Sequence, residues 1–376
     1  SVVLALLLLL AGVPMTLQPP LAVQTLAGSL QWLPRGPIAL FEAIKLLGEN
    51  GGGFLAANSS HPYENPSLFT DLLETWAMLI LPLATIEAFG RVLGDRRQAR
   101  GLMRLVLTLL VAGAVLAMAA EQAGNPALAP WLSGPNLEGK ELRFGAVLSG
   151  FWAAVSTGTM TGATNGSFEA LMPASVLIAL FNLLLQVLGG AQGLGIALLL
   201  VFVLLSVFLA GLMVGRTPTY LGRRLDQPQV MWASLVLLIH PLVVLVPAAL
   251  TLAQAAPLAA VQGADSHALT QVAYEYASAA ANNGSGLEGL ADGSLWWNLS
   301  TSFSLVGGRY LPIAALLALA DGFRRQPLLA AGPGMLRTDT PLFLGLTAAV
   351  ILILGVLTFL PLLALGPLAE LLGQAG

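Results

Sequence analysis

Long apolar runs alternate along this chain with shorter, more polar ones, and the two kinds end differently. Five runs, 76–93, 102–120, 230–252, 296–320 and 342–365, are long enough to cross the bilayer. About 20 apolar residues in a helix cover its hydrocarbon core, about 30 Å thick. A sixth, 172–214, exceeds one crossing and is interrupted by "GGAQGLG" at 189–195, and 2–13 is a partial span. Between them lie 36–48, 145–158 and 268–281, too short and too polar to cross, each running into a Gly- or Asn-rich stretch. This pattern predicts re-entrant helices that enter the membrane and leave by the same face. Irregular backbone at that depth is tolerated only inside protein or along a wet cavity.

Charge orients this layout. Most basic residues sit in "GRVLGDRRQARGLMR" (90–104), "GRTPTYLGRR" (215–224) and "DGFRRQ" (321–326). Lys/Arg-rich loops stay cytoplasmic. If the weak segments do not cross and the interrupted run crosses once, all three basic loops share one face and the re-entrant segments start from the other. A repeat follows: helix, re-entrant segment, helix. It is complete in 102–120, 145–158 and 172–214, and again in 230–252, 268–281 and 296–320. A third copy, 2–13, 36–48 and 76–93, is cut at its start. The opening "SVVLALLLLLAGVP" has no Met and no basic flank, so it reads as the end of a transmembrane helix rather than a signal peptide.

The expected fold is therefore an all-α polytopic membrane protein of about two and a half helix–pore loop–helix repeats plus a terminal transmembrane helix. Its units are 1–94 (pore loop 36–58, second helix 76–93), 95–226 (pore loop 145–168, broken helix 172–214), 227–325 (pore loop 268–290), and 326–376, a cytoplasmic linker with the last helix.

Composition agrees. Only 9% of residues are charged and mean hydropathy is +0.82, against about 25% charged in soluble domains. The net charge of -3, without a basic patch, excludes nucleic acid as a partner. There is no Cys, so disulfides and thiolate metal sites are excluded, and the three His are scattered. No phosphate loop, nucleophile elbow, zincin helix or paired-carboxylate site occurs. Asn58, Asn165, Asn283 and Asn298 match the N-glycosylation pattern, but two of them fall in the junctions described next. Glu138, Lys140 and Glu141 read as solvated charges of an outer loop.

Three junctions follow the re-entrant segments: "GENGGGF" (48–54), "STGTMTGATNGSF" (156–168) and "SAAANNGSGLEGL" (278–290). A dehydrated cation needs several oxygens in place of its water, and backbone carbonyls supply them without a full charge, so the ion can leave again. Gly best tolerates the backbone angles this takes, and the helix C-terminus before each junction favours a cation. Each junction alone reads as a turn; three at equivalent places in a repeat point to a cation site. "GGAQGLG" is either a gate or a plain helix break. Arg309 lies within a span, where charge is costly and usually functional, and Glu87 is its candidate partner. Arg216 reads as an interfacial anchor.

The stretches "EAIKLLGENGGGFLAANSSHPYENP", "GDRRQAR", "NLEGKELRFG", "FLAGLMVGRTPTYLGRRLD" and "LGPLAE" strongly resemble the A subunit of the Kdp potassium-transporting ATPases, a family related to potassium channels with four pseudo-symmetric repeats around one pore. The chain resembles its C-terminal two-thirds, without the first repeat and part of the second. The resemblance implies a potassium filter at Asn50, Gly51, Gly52 and Gly53, at Thr157, Gly158 and Gly162, and at Asn282, Asn283, Gly284 and Ser285; Ala281 stands where the family has a third Asn. It implies a gate and pathway at Gly189, Gly190, Gly193, Gly195, Arg216 and Arg309. It also implies K+ as the transported ion with no organic cofactor, and residence in a bacterial or archaeal inner membrane. The implied partners are a P-type ATPase B subunit that hydrolyses ATP, a C subunit and a small F peptide. A stand-alone channel or ion-coupled transporter of the same superfamily is the alternative. Copurification with a P-type ATPase subunit separates the two. A non-transporting fragment is the third reading.

Overall fold

A computed structural model describes residues 1–126, 134–329 and 336–373, apart from the side chain of Ala191. Residues 330–335 and 374–376, part of the expected linker and last unit, lie outside the described residues, as do 127–133 of the third repeat. The described chain is helical, with two short antiparallel hairpins.

In order, α1 (Val2–Leu10) leads into a hairpin of β1 (Leu21–Gln24) and β2 (Leu30–Leu33), which pairs Leu21 with Leu33 and Gln24 with Leu30. Helix α2 (Ile38–Leu47) precedes α3 (Leu68–Leu93). The helices α4 (Arg96–Ala123), α5 (Gly145–Gly158), α6 (Pro173–Leu185) and α7 (Leu194–Val214) follow. A tight hairpin, β3 (Thr219–Tyr220) and β4 (Arg223–Arg224), leads to α8 (Gln227–Leu252) and the single turn α9 (Ala255–Leu258). The rest is α10 (Asp265–Ala281), α11 (Leu295–Arg324), α12 (Pro341–Leu365) and α13 (Pro367–Gly373).

Among the described residues six helices, α3, α4, α7, α8, α11 and α12, are long and apolar enough to cross a membrane. By contrast α2, α5 and α10 have 10, 14 and 17 residues. At 1.5 Å per residue they reach about 15, 21 and 26 Å, short of the hydrocarbon core. Each lies within a group of neighbours: α2 against α1 and α3, α5 against α4 and α6, α10 against α8 and α11. Small residues permit this packing. Gly150 on α5 faces the Ala117 carbonyl of α4, and Gly308 on α11 has no room for a methyl beside the Ala280 carbonyl of α10. Hydroxyls bind the last group together: Tyr276 bonds Thr251 at 2.6 Å and Ser300 at 2.7 Å, and its ring stacks on Trp297.

The three basic loops are hydrogen-bonded to one another. Asp95 caps α4 by accepting from the Arg97 and Gln98 N–H groups, which holds "GDRRQAR" in a tight turn. Gln98 Nε2 then reaches Tyr220 Oη at 3.3 Å. Arg223 donates to the carbonyls of Phe323 and Gln326.

Helices α3 and α4 begin before the apolar runs 76–93 and 102–120, and 172–214 is broken as expected. Helix α3 begins at Leu68, eight residues before the predicted start, because Ser67 and Thr70 form a capping box and its polar residues Asp71 and Glu74 are buried against protein. The long run 172–214 is two helices, with Gln186 closing α6 in a left-handed conformation and α7 starting at Leu194.

Candidate cation site

The chain leaves α2, α5 and α10 along one backbone path. A non-glycine residue with positive φ comes first: Glu49 (50°), Met160 (57°) and Asn282 (55°). Two positions later stands a glycine, again with positive φ: Gly51 (66°), Gly162 (85°) and Gly284 (90°). The first of these residues donates its N–H to the carbonyl three back, Leu46, Thr157 or Ala279, at 3.3, 3.2 and 3.0 Å. The next residue reaches five back: Asn50 to Lys45 at 3.1 Å, Thr161 to Ser156 at 2.9 Å and Asn283 to Ser278 at 3.0 Å. This is the double hydrogen bond that closes a helix through a left-handed residue. Positive φ is uncommon outside glycine, so its presence at the same place three times defines a register. Asn50, Thr161 and Asn283 are equivalent, as are Gly51, Gly162 and Gly284, and Gly52, Ala163 and Ser285.

Asn50 to Gly53 and Asn282 to Ser285 fall on this path. In the middle junction only Gly162 does. Thr157 and Gly158 lie in the last turn of α5, level with Leu46 and Leu47 and with Ala279 and Ala280. The residues level with Asn50–Gly53 are Thr161, Gly162, Ala163 and Thr164, of which the resemblance implied Gly162 alone. A usable signal existed: Phe41, Trp152 and Tyr274 each stand ten positions before the junction glycine.

The junctions meet side by side. A methyl on Gly51 would overlap the Thr161 carbonyl oxygen, and one on Gly162 would overlap that of Asn283; Gly284 has nothing within 4 Å. Thr164 donates its N–H to Asn58 Oδ1 at 3.4 Å, and Asn283 Nδ2 donates to the Ser156 carbonyl at 3.2 Å. Each loop is also backed by its own helix. Trp152 Nε1 and Ser156 Oγ donate to the Ala163 carbonyl at 2.8 and 2.6 Å; the Tyr274 hydroxyl bonds Ser285 Oγ at 2.9 Å; Phe41 meets Phe54 edge to face. Asn50 Oδ1 accepts from the Gly52 N–H and Asn283 Oδ1 from the Ser285 N–H, which fixes two of the three turns. From Asn50 to Gly53, Thr161 to Thr164 and Asn282 to Ser285 the chain offers carbonyl, hydroxyl and amide oxygens and no charged side chain, a donor set suited to a hard monovalent cation that must also leave.

Beyond the junctions the returning chain is carboxylate-bound. Glu288 accepts from Ser167 Oγ, the Phe168 N–H and the Glu169 N–H. His267, at the start of α10, lies between Glu169 Oε1 at 2.7 Å and Glu370 Oε2 of α13 at 2.8 Å. Hydrogen bonds to Glu169 and then Glu370 push His267 up to about 10.

The break between α6 and α7 is docked on the first junction. Gln192, itself at positive φ (54°), donates its N–H to Glu49 Oε2 at 2.5 Å and its side-chain amide to the Gly48 carbonyl at 2.6 Å. Gly190 sits so close to the Thr159 carbonyl that a methyl would overlap it, and Gly195 packs on Gly189 and Gly190. Gly193 is the left-handed residue from which α7 starts. Arg309 donates to Gln192 Oε1 at 3.3 Å. The expected partner Glu87 bonds Arg91 instead, one turn along α3, where both are exposed. Arg216 is exposed just past the end of α7, and its N–H caps the Gly211 carbonyl at 2.9 Å.

Lys140 corrects the outer-loop expectation. Its side chain is fully buried, 3.0 Å from Glu121 Oε2 and 2.8 Å from the Ala170 carbonyl. Burial pulls the ammonium below the usual lysine range, with the Glu121 carboxylate opposing. Glu121 lies some twenty residues away on α4, which local sequence does not reveal. Glu141 keeps its solvated character, 40% exposed beside Arg143.

The family model of the potassium-transporting ATPase A subunit, KdpA, matches residues 1–372. The chain belongs to this family. It is 54% identical over 374 residues to a Synechocystis sp. protein named potassium-transporting ATPase potassium-binding subunit, covering 98% of this chain and 67% of the relative. Relatives with the same name from Nostoc sp. and Alicyclobacillus acidocaldarius are 51% and 43% identical over 372 residues, each covering 98% of this chain and 66% of the relative. The chain thus spans about two thirds of the length of these KdpA-family relatives.

Proposed function

We propose that this chain is the potassium-binding and translocating part of an ATP-driven K+ uptake system, and that K+ is held by oxygens of the three junctions. The observation that carries this reading is the backbone path shared by 49–53, 160–164 and 282–286, met side by side in a chain of this family. K+ binds there from the outer side, stripped of water, at the C-terminal ends of α2, α5 and α10, whose dipoles favour a cation. The break at Gly189–Gly195, docked beneath the first junction through Gln192, is the gate in this reading, with Arg309 holding Gln192. ATP is hydrolysed by a P-type ATPase B subunit, and a C subunit and small F peptide complete the assembly in an inner membrane. The names of the relatives, each a subunit of a potassium-transporting ATPase, support an assembly of this kind.

The test uses the full-length subunit in the reconstituted complex. Gly51→Asp or Gly284→Asp places a side chain and a fixed charge in the carbonyl array, and each is expected to weaken K+ affinity or narrow K+/Rb+ discrimination. Unchanged K+-dependent ATP hydrolysis with unchanged discrimination would refute the assignment.

A further inference from the structure

The residue whose carbonyl closes each junction is Lys45, Ser156 or Ser278. The two serines act on their own loops directly: Ser156 Oγ donates to the Ala163 carbonyl at 2.6 Å, and Ser278 Oγ accepts the Gly284 N–H at 3.0 Å. Lys45 is a charged residue at the same place, with a fully buried side chain. Its ammonium lies 2.5 Å from Glu42 Oε1, 2.7 Å from Ser59 Oγ, 2.8 Å from Asn58 Oδ1 and 2.9 Å from Glu64 Oε2. Glu74 approaches the same cage, its Oε2 accepting from Ser59 Oγ at 2.8 Å.

Two of these partners lead back to the loop. Asn58 Oδ1, held by Lys45, also accepts the Thr164 N–H, while Asn58 Nδ2 donates to the Gly51 carbonyl at 2.6 Å. One amide therefore joins the first junction to the second. Glu64 Oε1 accepts the Leu55 N–H at 2.5 Å, and the Glu64 carboxylate fills the space a methyl on Gly53 would need. Glu42 and Glu74 are both buried, and hydrogen bonds run between the carboxyl groups of Glu42, Glu64 and Glu74. A buried ammonium ringed by three carboxyl groups is a poor way to gain stability, since apolar side chains of the same volume often do as well or better. A fixed point from which to hold a loop is what it does supply.

We infer that Lys45 is the positioning residue of the first junction: its ammonium fixes Asn58, Asn58 fixes the Gly51 carbonyl and the Thr164 N–H, and this link sets the spacing of two neighbouring junctions and so cation discrimination. The inference rests on the reading of the junctions as a K+ site. It extends that reading to side chains that touch no ion.

The full-length subunit in its reconstituted complex again supplies the test, with ATP hydrolysis titrated separately with K+, Rb+ and Na+. Asn58→Asp is nearly isosteric. It keeps the acceptor for Lys45 and Thr164, removes the donor to the Gly51 carbonyl, and sets a carboxylate oxygen with an added negative charge against that carbonyl. It is expected to weaken apparent K+ affinity about tenfold and to narrow the K+/Rb+ ratio, with maximal turnover kept. Lys45→Met is expected to act in the same direction and more strongly; if it fails to assemble, Asn58→Asp decides alone. Gly284→Asp in the third junction is the control. If that control loses affinity while Asn58→Asp only lowers thermal stability and leaves discrimination as in wild type, the positioning role is wrong and the K+ site stands. If the wild type shows no K+ preference, or the control changes nothing, both fall.

Discussion

Gln192, at the break between α6 and α7, is bonded to Glu49 through its own backbone N–H at 2.5 Å. Its side chain also holds the Gly48 carbonyl, so the broken helix hangs from the first junction at two points. Arg309 braces the same Gln192 from α11. Gln192→Ala removes the side-chain half of the attachment and the Arg309 contact while leaving the Glu49 bond. If the break obstructs the route below the junctions, K+ leak through the reconstituted complex rises several-fold and K+/Rb+ discrimination stays as it was, because the Gln192 side chain bonds the Gly48 carbonyl and not the stretch 50–53. Tracer flux into proteoliposomes without ATP measures this. A flux equal to wild type would remove the gating role.

The junction glycines are not equally demanding. Gly162 needs both its positive φ and its missing side chain, because the Asn283 carbonyl occupies the methyl position; Gly284 needs only the φ. A left-handed alanine costs about 1 kcal/mol, and the overlap at Gly162 adds a displaced neighbouring carbonyl. Gly162→Ala is therefore expected to weaken K+ affinity at least tenfold, and Gly284→Ala by less than about fivefold, with the order read from K+ titration of ATP hydrolysis. Equal effects, or the reverse order, would contradict the contact between the second and third junctions.

The spans were legible because lipid leaves a simple mark: 20 apolar residues with basic residues at one end. The three short helices were legible because the same mark was too weak there. What escaped depended on distant partners. Asp71 looks like a loop residue, yet Asn65 and Asn165 bond its carboxylate inside the protein. In the middle junction "STGTMTG" offers two glycines, and local sequence does not say which matches Gly51. The distance from Trp152 does, because the aromatic residue and the glycine are joined by a fixed length of helix and cap. The hairpin of β1 and β2 escaped for the opposite reason. It is exposed, with no buried face to impose alternation on its sequence.

His267 links α10, the loop after the second junction and α13, and its charge makes the link pH-dependent. Its folded value of about 10 stands above the unfolded value of about 6.5. Protonation therefore favours the folded form. The stabilisation is complete below about pH 6.5, declines as pH rises toward 10 and is gone above it. His267→Ala should cost about 2 kcal/mol at pH 6 through two charge-assisted hydrogen bonds, and far less at pH 11. The measurement is the difference in apparent melting temperature between wild type and variant in detergent at both pH values. A difference that does not change with pH would show that His267 acts by packing alone.

Lys140 and Glu121 make the strongest stability prediction, because both side chains are fully buried and Glu121 has further duties. Its Oε1 accepts the Met172 N–H at 2.8 Å, one residue before α6 begins, and its Oε2 accepts from Asn136 Nδ2 at 2.9 Å. Lys140→Met leaves that carboxylate buried with two neutral donors and no counter-charge. Breaking a buried pair in this way costs about 3–5 kcal/mol. Adding Glu121→Gln removes the stranded charge while an amide oxygen still accepts from Met172, so the double variant is expected to melt above the single one. The damage lies at the entry to α6, not at 160–164, so K+/Rb+ discrimination of the surviving Lys140→Met complex should match wild type. A double variant no more stable than Lys140→Met would mean that packing of the lysine stem, rather than the ion pair, holds this corner. Altered discrimination would mean that the start of α6 is coupled to the junction above it.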